Sequence, residues 1–538
     1  MLNPNSSNNL LNEPKRIQSP DIRVRGELPS HGASSYSRPM QEEFFLDMYW
    51  QSYHTSVFPI LDETEFRRYY RSLCLTQSST STRQPSAIVD IVLAICIQMG
   101  FSSQPALRRR FSPDPADATI AGRLYYIRSQ HLLAYELENP TLSTLQCQLL
   151  SAVYLCSSTF HNMSDSACSA AVHTAYMLGL HLAPPDKIGI KYGRPFSLRQ
   201  EPSLSDLPED DLNVAAEAGS DPSALGNNLS WLTFHREHAR LFCVARAAYT
   251  QLYGTQTGES AVSRVLGQLS MSSDHEETVK SAVRLLEDWS AGVPEELQVQ
   301  RVGSGCGLST IPAALEPDPF SPLWLERQRL LLELTYHNIC VTLFRLFISF
   351  STAPVSPLVE QMTLRCAQHA MAVTNILHQV VTSSSTLTGW HEAFKWQWNA
   401  AMKLVGFVLA SGPVESASLA RESIELSIVV LEDFANGMVV AAKAVDVVRK
   451  VIVKLDDVLQ ATGMNTSSTG NEIGRTLGAS AEPGSLRPGA HVNYTPLSMD
   501  VEVEFANPTD LSVQDILSMA SNVDQYAEPH MLWPDIYM

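Results

Sequence analysis

The sequence predicts an all-α protein: a large helical array over about 41–460, with a disordered N-terminal arm and a disordered acidic C-terminal tail. Three observations predict it. Apolar residues recur three and four apart through the middle of the chain, and almost nowhere alternate as in a half-buried strand. Helix start and stop signals punctuate those runs. With 44% apolar residues over 538 positions the chain can bury a sizeable core, whereas both ends are polar or acidic.

Residues 1–40 are rich in Asn, Ser and Pro and read as a flexible arm. Most of its bases are clustered at Lys15, Arg16, Arg23 and Arg25. They form either a solvated linker, or the remnant of a basic region near nucleic acid or a weak nuclear import signal. From Gln41, the residues Phe45, Met48, Tyr49, Ser52 and Tyr53 share one helical face, and Pro59 interrupts it. Asp62-x-x-Glu65 predicts a capping box for a helix through Arg71. The apolar stretch 86–100 predicts a helix, as does amphipathic Ala121–Glu138, which ends before Asn139-Pro140. Ser143-x-x-Gln146 is expected to cap the helix Leu145–Ser157, and Ala167–Leu178 is expected to stop at Gly179. Residues 183–228, rich in Pro, Gly, Asp and Ser, predict a long loop. Helices resume at Leu229–Leu252, Glu276–Trp289, Leu323–Ile348, Glu360–Val381, Thr388–Leu409, Glu415–Phe434 and Ala441–Leu459. Residues 461–508 read as a linker, and 509–538 as a separate acidic-aromatic segment.

The formal net charge of −18 argues against non-specific binding of the bulk of the chain to phosphate backbones. No secretory signal, lipidation motif or run of 18 apolar residues is read, so no membrane association is expected. The nine cysteines are scattered and none is spaced Cys-x-x-Cys, which reads as free buried thiols in a reducing compartment. No phosphate-binding loop, dinucleotide fingerprint or nucleophile elbow is present. His275-Glu276-Glu277 and His391-Glu392-Ala393 begin like a zinc-protease helix, but each lacks the second His one turn on. Glu209, Asp210 and Asp211 read as a solvated part of the long loop. Trp390, Phe394, Trp396 and Trp398 read as core at helical spacing, or else as a pocket lining. No catalytic residue and no metal ligand is assigned.

The tail carries more signal. Residues 488–538 hold eight acids and no Lys or Arg. Among those acids lie Leu511, Ile516, Leu517, Met531, Leu532, Trp533, Ile536 and Tyr537. Acids keep such a segment solvated while its bulky groups stay available to a partner groove, the composition of an activation segment. The plainer reading is a disordered tail or a last helix docked on the body.

Several segments together resemble a known family. Leu46–His54 with Phe58-Pro59-Ile60-Leu61 and Phe66, then Tyr125–Gln130, then Pro140–Gln146 with Leu149-Leu150, then Ala170–His181, and later Tyr336-His337-Asn338 with Leu343-Phe344-Arg345, occur in the family's order. They are similar to the fungal-specific transcription factor domain, the middle homology region of fungal zinc-cluster transcription factors. The resemblance covers roughly 41–350, and more weakly to about 460. It implies a nuclear regulator of transcription with a helical regulatory body, a tail contacting coactivators or the transcription machinery, and in many members control of metabolic or secondary-metabolite gene clusters. Members usually carry an upstream six-cysteine cluster, Cys-x2-Cys-x6-Cys, binding two zinc ions. Its ligands are absent from this sequence, whose first cysteine is Cys74, so no cofactor is expected in this chain and DNA contact is expected to be indirect: either the chain relies on a DNA-binding partner, or it is a shortened version of a protein that has the cluster, and a homodimer is a further partnership. After His181 the family's next helix is missing, and Gly193-Arg194-Pro195 follows almost at once. The alternative is a helical ligand-binding protein or enzyme with no recognisable catalytic motif.

Overall fold

The structure, a computed structural model, describes residues 39–54, 56–75, 83–104, 118–180, 230–253, 273–303, 305–350, 356–411 and 414–465. Among them run α1 (Pro39–Met48), α2 (Glu63–Leu75), α3 (Ala87–Ser103), α4 (Arg123–Glu136), α5 (Leu142–Ser157) and α6 (His161–Met177). The second half holds α7 (Leu232–Tyr253), α8 (Ser273–Ala291), α9 (Leu323–Phe344), α10 (Pro357–Ser383), α11 (His391–Ser411), α12 (Glu415–Ala435) and α13 (Val439–Asn465). The fold is all-α as expected: among the described residues the one extended pairing is an isolated bridge between Arg301 and Leu315. The bulk of the expected arm and linker, and the whole of the expected loop and tail, lie outside the described residues. At the margins, α1 already starts at Pro39 and α13 runs to Asn465.

The capping signals explain most boundaries, with two corrections. Asp62 accepts from the Glu65 amide at 2.7 Å as its spacing implies, although α2 continues past Arg71 so that Leu73 can pack inward. At α5 the cap is Thr141, not Ser143. Thr141 and Thr144 exchange side-chain and backbone bonds in a capping box. Gln146, expected in that box, instead donates to the Ile60 carbonyl at 2.7 Å and ties α5 to the turn before α2. α6 starts at His161 rather than Ala167, because its polar first turns face outward while Ala171 and Thr174 turn inward. It does end at Gly179, which adopts φ 74° beyond the last turn.

Helix α3 organises the first half. Every residue from Ala87 to Phe101 is buried, which its all-round apolar sequence requires. It packs against α1, α4 and α5, and α5 packs on α6. In the second half α9 through α13 lie side by side in succession, and α7 packs on α8 and α9. The halves share one continuous apolar core. They meet where Tyr53 stacks on Trp390 with ring centres 5.3 Å apart, and where Ser102 bonds the His391 ring at 2.6 Å. Trp390 and Phe394 are buried and Trp396 and Trp398 pack against the core, so the aromatic run is core rather than pocket lining. The segment Leu323–Phe347 is long and apolar enough to span a membrane, which the sequence reading did not anticipate. It is a core helix, with 78% of its apolar window buried in protein.

One glycine is required by its surroundings. Gly122 precedes α4 at φ 78°, and a Cβ there would stand 2.6 Å from the Ala94 carbonyl oxygen of α3. Backbone cannot yield as a flexible side chain can. Gly122→Ala is therefore expected to destabilise by about 2 kcal/mol or more, read as a lowered denaturation midpoint. An unchanged midpoint would show that α4 can shift away from α3 at no cost.

Candidate functional site

None of the predicted contact residues falls in the described part. Lys15, Arg16, Arg23 and Arg25 of the arm lie outside it, as do Leu511, Ile516, Leu517, Met531, Leu532, Trp533, Ile536 and Tyr537 of the tail, the acids Glu209, Asp210 and Asp211, and the junction after His181. What the structure brings together instead are charged and polar groups buried inside the helical body, which sequence reading did not assign.

The first cluster joins α1, α2, α3, α4 and the segment before α3. Asp90 sits fully buried in α3 and pairs with both Arg83 and Arg128. Arg128 adds a second bond to Asp90 Oδ1 at 2.7 Å. Arg83 also donates to Glu42 Oε2 at 2.8 Å, and the hydroxyls of Tyr70 and Tyr125 donate to Glu42 at 3.2 and 3.1 Å. Two carboxylates and two guanidiniums thus balance, with their lone pairs largely satisfied. Burial pushes the Arg83 guanidinium down, but the facing Asp90 and Glu42 carboxylates outweigh it and hold it above its ordinary value. Burial raises the Tyr70 phenol, with the Glu42 charge second. The visible signal was a lone Asp in an otherwise apolar helix, since an unpaired buried carboxylate would not be tolerated there.

The second cluster lies between α9 and α10. Arg301 pairs with Glu333, and His337 Nε2 stands 3.6 Å from the same carboxylate. His337 Nδ1 and His369 Nδ1 are 2.8 Å apart, so one ring donates and the other accepts. Burial first, then the neighbouring His337 and Arg365, hold His369 well below the usual histidine range. Both rings are buried, as are Arg301 and Glu333 beside them. Sequence showed only the i, i+4 spacing of Glu333 and His337.

A cleft of about 550 Å³ opens beside Glu295, Glu296, Glu316, Asp318 and Arg329. Arg329 is already engaged by the Glu296 carbonyl at 2.7 Å and by Glu326. The cysteines do not fit a zinc centre. They are free, and Cys96, Cys147, Cys340 and Cys366 are buried on four different helices. Burial raises each of these thiols away from the thiolate form that zinc needs. Among the described residues no group of three or more His, Cys, Asp or Glu is placed to hold a metal.

Comparison with known proteins supplies what the clusters do not. Residues 46–214 match the family described as fungal specific transcription factor domain. The chain is 37% identical over 460 residues to the transcription factor asqA of Emericella nidulans, covering 79% of this chain and 81% of that protein. It is 31% identical to the terreic acid cluster-specific transcription factor atF of Aspergillus terreus, over 77% of this chain and 68% of that one. The oosporein cluster regulator OpS3 of Beauveria bassiana is 22% identical, over 76% and 61%. No solved structure matches the chain.

Proposed function

The chain belongs to the family that carries the fungal specific transcription factor domain, and from that premise we propose that it regulates the transcription of a secondary-metabolite gene cluster. The observation that carries this reading is the likeness to asqA and atF through most of the helical body, the second of which is named for the cluster it serves. Transcription regulators of this family are not enzymes, so the enzyme alternative is set aside. Regulating transcription implies a nuclear role, and the proposal includes nuclear localisation of this chain.

Within that reading the helical body is regulatory and the tail recruits a coactivator or the transcription machinery. Leu511, Ile516, Leu517, Met531, Leu532, Trp533, Ile536 and Tyr537 supply the apolar contacts, and the five acids of 509–538, without Lys or Arg, keep the segment solvated. DNA is reached indirectly, through a DNA-binding partner. No zinc is assigned to this chain, and no membrane.

Two strains test it together, one lacking the gene and one encoding the chain without 509–538. The expected result is coordinated loss of transcripts from a set of neighbouring genes in both, measured by expression profiling. Loss of a single metabolic step with neighbouring transcripts intact would overturn the regulatory reading. Normal transcript levels in the strain lacking only the tail would overturn the tail's assignment.

A further inference from the structure

Where the end of α5, the start of α6 and the first turn of α11 meet, four reactive side chains converge. Lys395 Nζ donates to Cys156 Sγ at 3.4 Å and to His161 Nδ1 at 3.0 Å. The Cys156 thiol in turn points its hydrogen at Glu392 Oε1, 3.9 Å away. Cys156 and Lys395 are 239 residues apart in sequence, so no local spacing announces them. Cys156, Glu392 and Lys395 are each half-buried as residues.

The chemistry of the four groups is complementary. A thiol needs a base to take its proton and a cation to hold the thiolate. Burial raises the Glu392 carboxyl, which makes it a better proton acceptor, and the Lys395 ammonium lies against the sulfur. Burial also raises the Cys156 thiol, with Lys395 opposing that rise. His161 is held neutral, down to about 3, by burial and by Lys395, so its Nδ1 accepts a hydrogen bond from the Lys395 ammonium without taking its proton.

We propose that Cys156 and Lys395 form a reversible covalent cross-link under peroxide, a sulfenamide that ties α5 to α11. In the first step the Cys156 thiol passes its proton to Glu392 and the thiolate attacks a peroxide oxygen. The S–O bond forms and the O–O bond breaks. Sulfur loses two electrons to the peroxide, and the departing hydroxide takes a proton from the adjacent Lys395 ammonium and leaves as water. In the second step the Lys395 amine so freed attacks the sulfenic sulfur and gives up one of its hydrogens to the departing oxygen. The S–N bond forms, the S–O bond breaks and a second water leaves. Two equivalents of a small thiol reverse the reaction, restoring thiol and amine and releasing a disulfide. The cross-link would pin the first half of the helical body to the second at a place where few other contacts join α5 and α11. Oxidant level would thereby be written into the body's rigidity. The inference stands on these four residues and does not depend on which genes the protein regulates.

Peptide mass spectrometry on the purified full chain, with and without dilute hydrogen peroxide, tests it. The expected product is a pair of peptides joined through Cys156 and Lys395, lighter by two hydrogens than their sum and separated again by dithiothreitol. Cys156→Ser and Lys395→Arg should each abolish the joined pair, and Lys395→Arg should leave Cys156 oxidised but unlinked. Recovery of Cys156 in the wild-type chain as a sulfinic acid, or joined to another cysteine, with Lys395 free would overturn the proposal. So would an unreacted Cys156 under conditions that oxidise the exposed Cys306.

Discussion

Replacing Asp90 by asparagine is expected to destabilise the protein by about 4 kcal/mol, the range seen when one partner of a buried ion pair is removed. The substitution keeps size and shape, so it opens no cavity. What it removes is the charge facing Arg83, which is itself buried, and Arg128, which is partly so. Glu42 alone is then left to compensate the Arg83 guanidinium. Because Asp90 lies in α3, against which α1, α4 and α5 all pack, the loss is felt across the first half. The exposed pair Arg449–Glu432 provides the contrast: each partner is about half exposed, and Arg449→Ala should cost under about 0.5 kcal/mol. Denaturation midpoints of the two variants, measured side by side, decide the matter. Equal shifts would mean that the buried cluster reaches solvent and is screened.

The second large effect is on acid stability. His369 and His391 are buried, and burial holds both below the ordinary histidine value, His391 down to about 4. His54, buried against the Leu61 carbonyl, is lowered in the same direction by burial. The unfolded chain therefore takes up protons near pH 6.5 while the folded chain does not, so stability is complete above that pH and falls as the pH drops toward 4. His369 and His391 together give a slope of about 3 kcal/mol per pH unit in that window. Glu392 and Asp433, whose carboxyls burial raises, offset part of this loss in the carboxylate range. Melting temperatures taken between pH 7.5 and 5 should fall steeply below about pH 6.5. A flat profile would mean that these rings are charged in the folded protein or open to water.

Much of the architecture was legible because helix signals are local. A capping residue acts over three positions and a helical face repeats over seven, so α2, α3, α10 and the end of α6 could be placed from neighbouring residues alone. The misplacements have the same root. Thr141 displaced Ser143 as the cap of α5 because Gln146 had a better partner in Ile60, far away in the chain. The sequence predicts α6 only from Ala167 because the polar residues before it face water, and polarity without a known neighbour does not separate a solvated helix face from a turn.

The sequence by itself determined the helical class, most helix limits to within a few residues, and the charge polarity between arm, body and tail. Those depend on short-range periodicity and on composition, which need no knowledge of what packs where. Only the tertiary structure decided which buried charges neutralise each other, that His337 faces His369, and that the Cys156 sulfur lies beside the Lys395 amine. Such pairings join residues tens to hundreds of positions apart. The free energy that selects them comes from burying the apolar faces of whole helices, and the polar groups meet where that packing leaves them.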